Sequence, residues 1–333
     1  MKLASYRDGS RDGQLVVVSR DLSQAHYASH IAQRLQQVLD DWNFLSPQLQ
    51  DLSDALNAGR ARHAFPFDPA QCMAPLPRAF QVVQAEAYPS LGALQRKAAG
   101  DESDSTLVVH QAAGDALLGA QDPVQCGNVA FGVDFGASLA AITGDLPQDC
   151  AADRALDGVR LLALANVISL RNLAAADGAH TVQSLCGVAF SPVAVTPDEL
   201  GEAWGRGRVN LPVLCSWNGR KVGIGDAGAE MGTHFGQLLA YLSKTRPVRA
   251  GSVVVAGPVS NAGQEKKGQW SWPAGYHSIA EKRAMETVQD GLAATAYMAL
   301  GDVVRIEMKN AAGHSVFGAI EQEVMAPTLA HSV

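Results

Sequence analysis

Asp134-Phe135-Gly136-Ala137-Ser138 continues a short β-like run at residues 129–133, and that run sets the pattern for most of the chain. Similar runs recur at residues 158–164, 193–196, 209–213, 221–224, 252–255, 303–308 and 315–319. Gly, Pro, Asp and Asn punctuate them, as expected of short strands joined by turns. One helical pattern, near residues 233–244, interrupts the series. This half of the chain reads as a mainly β domain with few helices.

The N-terminal part reads differently. Residues 14–18, Gln-Leu-Val-Val-Val, have the look of a short buried strand. From residue 25 to 42 the apolar residues Ala28, Ile31, Ala32, Leu35, Val38 and Leu39 fall at helical spacing. A second helix follows over 46–58, with Asn57-Ala58-Gly59 as its stop. The proline-rich stretch from Phe65-Pro66-Phe67 to Pro75-Leu76-Pro77 reads as a linker. The expected class is therefore α+β, predominantly β. A small N-terminal α/β domain covers residues 1–74 and a larger domain covers 75–333.

Composition narrows the function. The chain has 333 residues, 47% of them hydrophobic and 18% charged, as in an ordinary folded protein. A net charge of −7 with no Lys/Arg run argues against a nucleic-acid surface, which needs a basic face. No segment supplies the roughly 18 uncharged apolar residues of a membrane span. The start, Met1-Lys2-Leu3-Ala4-Ser5-Tyr6-Arg7-Asp8, turns polar too early for a signal peptide. A cytoplasmic protein with no membrane and no nucleic-acid partner is the expectation. The five cysteines are scattered without a CxxC pair and read as reduced, mostly buried thiols.

The local motifs are weak. Gly223-Ile224-Gly225-Asp226-Ala227-Gly228 matches the spacing of a dinucleotide loop, but no βαβ frame surrounds it, so a turn after a short strand is the better reading. His26 and His30 stand four apart on the expected first helix without an acidic or Cys partner, which favours a solvated face over a metal pair. Ser216-Trp217-Asn218-Gly219 reads as a hairpin turn. Lys266 and Lys267 sit in a polar loop followed by Trp270, Trp272, Tyr276 and His277. That loop reads equally as a pocket lid or as a self-packed surface loop.

Several stretches together carry a resemblance: Pro75-Leu76-Pro77-Arg78-Ala79-Phe80-Gln81, Ala141-Ile142-Thr143-Gly144-Asp145, Ile168-Ser169-Leu170-Arg171-Asn172-Leu173, Ala189-Phe190-Ser191-Pro192-Val193, Lys244-Thr245-Arg246-Pro247, Ile279-Ala280-Glu281-Lys282-Arg283 and Phe317-Gly318-Ala319-Ile320. In this order and over nearly the whole chain they resemble the fumarylacetoacetate hydrolase family, in its short bacterial form. The resemblance implies a homodimer built on a C-terminal mixed β-roll. It also implies a divalent cation held by carboxylates that positions a β-diketone or 2-oxo acid.

The positions that match the family's ligands do not carry them. Its first Asp falls on Gln84, its paired Glu on Gly136 and Ser138, and its last Asp on Val167. The general-base His falls on Leu91, the Lys on Leu185, the Thr on Pro258 and a substrate-contacting Tyr on His110. Arg171, Asp134 and Glu281 remain. A Glu281 set in a pocket made apolar by Val167, Leu185 and Leu91 would have its pKa raised by desolvation. The alternative is that it pairs with Lys282 or Arg283.

Three readings follow. The first is a metal-independent enzyme, with no cofactor, acting on a hydrophobic β-keto or 2-oxo small molecule. It would cyclise, condense, isomerise or cleave the substrate with Glu281, Arg171, His110 and His277 as its acid–base groups. Gln84, Glu86, Leu91, Gly136, Ser138, Val167, Leu185 and Pro258 would form its binding surface. The second is an inactive homologue that binds a ligand or a partner. The third is a metal-dependent C–C hydrolase whose ligands come from elsewhere, such as Asp115, Asp134, Glu86 or Asp145.

Overall fold

The computed structural model describes residues 1–103, 107–115, 117–173 and 183–327. Its centre is the strand Val159–Leu170, buried along almost its whole length. Side chains alternate across it with a period of two. Leu161, Ala163, Ala165 and Val167 pack into one apolar cluster, and Leu162, Leu164 and Ile168 into the other. Both faces are covered, which is why this stretch reads as an unbroken apolar run.

The central strand pairs antiparallel with Ala137–Thr143 along most of its length. From there the sheet continues through Val253–Val255, Val82–Ala85 and Val109–Ala112 on one side. On the other side it runs through Ala194–Val195, Lys2–Tyr6, Gln14–Val18, Gln24–Tyr27 and Phe65–Pro66. The N-terminal strands therefore extend the same twelve-stranded sheet, with Lys2 opposite Val195. Leu35, Val38, Leu39, Leu49 and Leu56, from the helices Leu35–Asp40 and Trp42–Asn57, cover one face. A five-stranded sheet covers the other with Val213, Cys215, Val304, Ile306 and Val324. The expected α+β, predominantly β class is the observed one.

Several local expectations need correction. Residues 25–42 are not one helix. Gln24–Tyr27 is a strand, with Ala25 opposite Val18 and Tyr27 opposite Val16, and only Leu35–Asp40 is helical. Pairing with the neighbouring strand overrides the local spacing. His26 therefore lies on a strand, its ring nitrogens 2.7 Å from the carbonyl oxygens of Tyr27 and Arg62. The run at 129–133 is a 3₁₀ turn, Val129–Phe131, before a two-residue strand, Val133–Asp134. Gly132, at φ 76°, closes that turn. The run at 209–213 is divided between Arg208–Val209 and Pro212–Trp217. The last strand is Ile320–Met325 rather than 315–319. Its inward residues are Ile320, Gln322 and Val324, and the buried amide at Gln322 hides the apolar alternation.

Two helices were not anticipated, Pro89–Ala99 and Ile279–Asp290. Pro89 opens the first and Gly100, in the left-handed region at φ 68°, closes it. Ser278 caps the second, its Oγ accepting from the Glu281 N–H at 3.1 Å. The Asn218-Gly219 turn forms as read, with φ 49° and 73°, between Pro212–Trp217 and Arg220–Asp226. Among the described residues no helix is long and apolar enough to cross a membrane.

The central strand sets an expectation for stability. Leu162→Ala, at a fully buried position, should cost roughly 2–5 kcal/mol, while Leu292→Ala, at a site 75% exposed, should stay within about 0.5 kcal/mol. Urea denaturation of the two variants checks this.

Candidate functional site

Six segments converge on a small cavity of about 70 Å³. The central strand supplies Val167 and Ser169, and Arg171 follows just past its end on the same face. Strand Val82–Ala85 supplies Gln84 and leads into Glu86. Its neighbour Val109–Ala112 places His110 opposite Gln84. Helix Pro89–Ala99 adds Leu91 and, one turn later, Gln95. The chain leaving Val253–Val255 adds Gly257 and Pro258, and Leu185 comes from the segment before Gly187–Phe190.

The polar groups of the cavity are held unequally. Arg171 Nε donates to Asp134 Oδ2 at 2.9 Å. Asp134 is fully buried and also accepts from the backbone N–H groups of Ile279 at 2.6 Å and Ala280 at 3.2 Å. Burial pushes its carboxyl up, against the Arg171 charge and those two donors. His110 Nε2 lies 3.9 Å from Glu86 Oε1 at the more open side. Gln84 is 6% exposed, and its Nε2 has no hydrogen-bond partner among the described residues.

The structure divides the sequence-derived site residues into two groups. Gln84, Glu86, Leu91, His110, Val167, Arg171, Leu185 and Pro258 share the cavity wall. Gly136, Ser138, His277 and Glu281 are not among the lining residues. Gly136 is packed beneath the wall: a Cβ there would lie 3.0 Å from Pro258 Cγ and 3.2 Å from Val167 Cβ. Ser138 is buried and its Oγ donates to the Gly257 carbonyl at 2.7 Å.

Glu281 and His277 form a separate buried pair. Glu281 Oε2 accepts from the His277 backbone N–H at 2.7 Å, and the carboxylate also bonds to Ser260. Its Oε1 has no partner among the described residues. Burial pushes the Glu281 carboxyl up to about 7 despite those donors. The desolvation is supplied by the core and not by Val167, Leu185 and Leu91. Glu281 does not pair with its neighbours on the helix: Lys282 reaches Glu286 at 3.4 Å, and Arg283 donates to the Thr295 carbonyl. The His277 ring packs against Gly223 and Gly225, where a Cβ would come within 2.9 Å and 2.4 Å of its atoms. Those glycines of the apparent dinucleotide loop thus make room for an imidazole. Burial pulls His277 down to about 4, so it is neutral.

Sequence reasoning missed Ser169 and Gln95. Both were accessible through periodicity: Ser169 lies two residues from Val167 and from Arg171 on a strand, and Gln95 lies four from Leu91 on a helix. The lysine loop forms a hairpin, Gln264–Lys266 with Gln269–Ser271. It docks onto helix Pro89–Ala99, with Lys97 Nζ 3.8 Å above the Trp270 ring.

Residues 1–78 match the family profile described as "Fumarylacetoacetase N-terminal domain 2", and residues 82–325 match "Fumarylacetoacetate (FAA) hydrolase C-terminal". The chain belongs to the fumarylacetoacetate hydrolase family. Solved structures agree on the fold. A probable 2-hydroxyhepta-2,4-diene-1,7-dioate isomerase from Mycobacterium abscessus matches with TM-score 0.68 and 17% identity, over 98% of this chain and 99% of its own. Fumarylacetoacetate hydrolase from Exiguobacterium antarcticum matches with TM-score 0.68 and 18% identity, over 98% and 100%. Maleylpyruvate hydrolase from Sphingobium sp. SYK-6, in complex with manganese(II) and pyruvate, matches with TM-score 0.63 and 16% identity, over 98% and 100%. A search of the curated proteins finds no match.

The residues that the resemblance sets at the family's metal positions, Gln84, Gly136, Ser138 and Val167, offer no carboxylate to a divalent cation. Hard cations need several oxygen ligands. Val167 offers hydrocarbon, Gly136 has no side chain and is tightly packed against Pro258 and Val167, and the Ser138 hydroxyl is engaged with Gly257. Among the described residues no group of three or more His, Cys, Asp or Glu side chains could hold a metal ion. The substitute acids are dispersed: Asp115 lines a different cleft, Asp145 faces Arg249 at the surface, and Asp134 is bound to Arg171.

The buried pair predicts the pH dependence of stability. Glu281 titrates near 7 in the fold and near 4.5 in the free chain, so its contribution is complete below 4.5 and is lost as pH rises through 7. His277 has the opposite sign: its contribution is present above 6.5 and is lost as pH falls towards 4. Glu281→Gln should remove the alkaline loss and stabilise the protein at pH 8 by up to about 3 kcal/mol. Melting curves from pH 5 to 8 test it; a variant with the wild-type slope overturns the assignment.

Proposed function

We propose that this chain is an enzyme that acts on a hydrophobic β-keto or 2-oxo acid by proton transfer, without a metal. The observation that carries this reading is the cavity itself. The positions that would have held a cation and its reacting groups now form a largely apolar wall with one anchored guanidinium. Arg171 keeps its direction because Asp134, locked by two backbone donors, holds its Nε. Its remaining N–H groups suit a carboxylate or an enolate oxygen.

His110 and Glu86 are the proton-transfer groups of this reading. They stand 3.9 Å apart on the cavity wall, and both side chains can serve as general acid or base. His110 takes a proton from the carbon next to the substrate carbonyl, and Arg171 stabilises the resulting enolate. Return of the proton at another carbon isomerises the substrate. Cyclisation and condensation are other fates of the same enolate, and C–C cleavage, in which water adds to the carbonyl carbon and the adjacent C–C bond breaks, would release such an enolate as the leaving group. Glu281 and His277 support the site from behind: their helix begins at the N–H groups bound by Asp134.

The test is an assay of the purified protein on acylpyruvates and β-diketones with and without EDTA. Turnover should be unaffected by EDTA, and Arg171→Met should reduce kcat/KM by roughly 100-fold or more, the scale of losing one preorganised charge donor. His110→Gln should abolish proton exchange at the substrate α-carbon, read by NMR in deuterated water, while leaving the melting curve unchanged. Turnover that EDTA abolishes and Mg²⁺ restores overturns the metal-free mechanism. Ligand binding without turnover or α-proton exchange on any of these substrates leaves a binding protein instead.

A further inference from the structure

The cavity wall carries information about the ligand beyond its class, and the key residue is Gln84. Its amide nitrogen is a buried donor that no described group satisfies, on a side chain 94% withdrawn from solvent and in the cavity wall. An unsatisfied buried donor costs about 1–3 kcal/mol, and native proteins rarely tolerate one without a use. A ligand oxygen removes the cost. The amide can turn over about its terminal bond to meet that oxygen, since its two ends are nearly the same shape.

Charge is distributed just as unevenly. Arg171 is the only Lys or Arg among the described lining residues, and the stretches outside the described residues contain neither type. Leu91, Val167, Leu185 and Pro258 make much of the remaining wall apolar. The carboxylate of Glu86 stands on the more open side. A second carboxylate on the ligand would find no second Lys or Arg on the described wall: beside the hydrocarbon stand only the uncharged Ser169 and Gln95, His110, which already faces Glu86, and Glu86 itself, which repels it.

Resting on the oxo-acid reading above, we infer that the site selects monocarboxylates with a keto oxygen and an apolar tail: Arg171 takes the carboxylate, Gln84 donates to the keto oxygen, and dicarboxylates are rejected. Gln84 then sets specificity, supplying by a neutral hydrogen bond part of the polarisation that a cation would otherwise give.

Calorimetric titration with three six-carbon acids isolates these features. The probes are 2-oxohexanoate, 2-oxohexanedioate, which adds a distal carboxylate, and hexanoate, which lacks the keto oxygen. The wild type should bind 2-oxohexanoate at least tenfold more tightly than either of the others. Gln84→Leu should weaken 2-oxohexanoate about tenfold and leave hexanoate unchanged. Equal or tighter binding of the dioate overturns the inference while the oxo-acid site stands. So does a Gln84→Leu variant that binds the keto acid as the wild type does. Failure of the wild type to bind any of the three removes the oxo-acid site itself and this inference with it. The wild-type comparison needs no variant, so it decides even where Gln84→Leu does not fold.

Discussion

The carboxylate of Asp134 is the constraint on which the site depends. It is fully buried, and three donors from two distant segments meet on it: Arg171 Nε and the N–H groups of Ile279 and Ala280. It thereby fixes the end of the central strand, the start of the helix Ile279–Asp290 and the direction of the one guanidinium in the cavity wall. A buried charge of this kind adds little net stability against an apolar replacement, but removing one partner strands the other. Its value is positional.

A polar chain continues from the same place into the core. The Gly136 N–H donates to Asn166, Asn166 to Gln322, and Gln322 to the Asp122 carbonyl. The two sheets are thus joined by oriented hydrogen bonds as well as by apolar packing. In a low-dielectric interior such a network fixes register, because each member would be costly if left unpaired.

Legibility in the sequence followed the physics of each region. Val167, Arg171 and Leu91 were reached through the resemblance, whereas Ser169, one repeat along the central strand, and Gln95, one turn along a helix that the sequence did not announce, were missed. Family resemblance supplied the register between segments far apart in the chain. What failed was whatever tertiary pairing decides. Residues 24–27 have helical spacing but are recruited as a strand by Gln14–Val18. Gln322 looks exposed by composition and is buried by its bonds. Glu281 looked like a cavity residue because nothing local shows on which side of the Pro258–Ser260 segment its carboxylate falls.

The residues that the resemblance sets at the ligand positions are coupled by packing. A side chain at residue 136 would press on Pro258 and Val167, which would have to shift by a few tenths of an ångström. Ser138 is tied to the backbone at Gly257, directly before Pro258. Carboxylates gathered without a cation would repel one another, and a lysine or histidine left among leucines would be an unpaired buried charge. In a pocket without a cation, as proposed above, each such charge would be a liability. The described wall holds one guanidinium, Arg171 fixed by Asp134, beside the Glu86–His110 pair, the amides of Gln84 and Gln95, Ser169 and hydrocarbon. On the proposed reading, contacts whose geometry the strands dictate do the work that the strong, undirected pull of a cation would otherwise do.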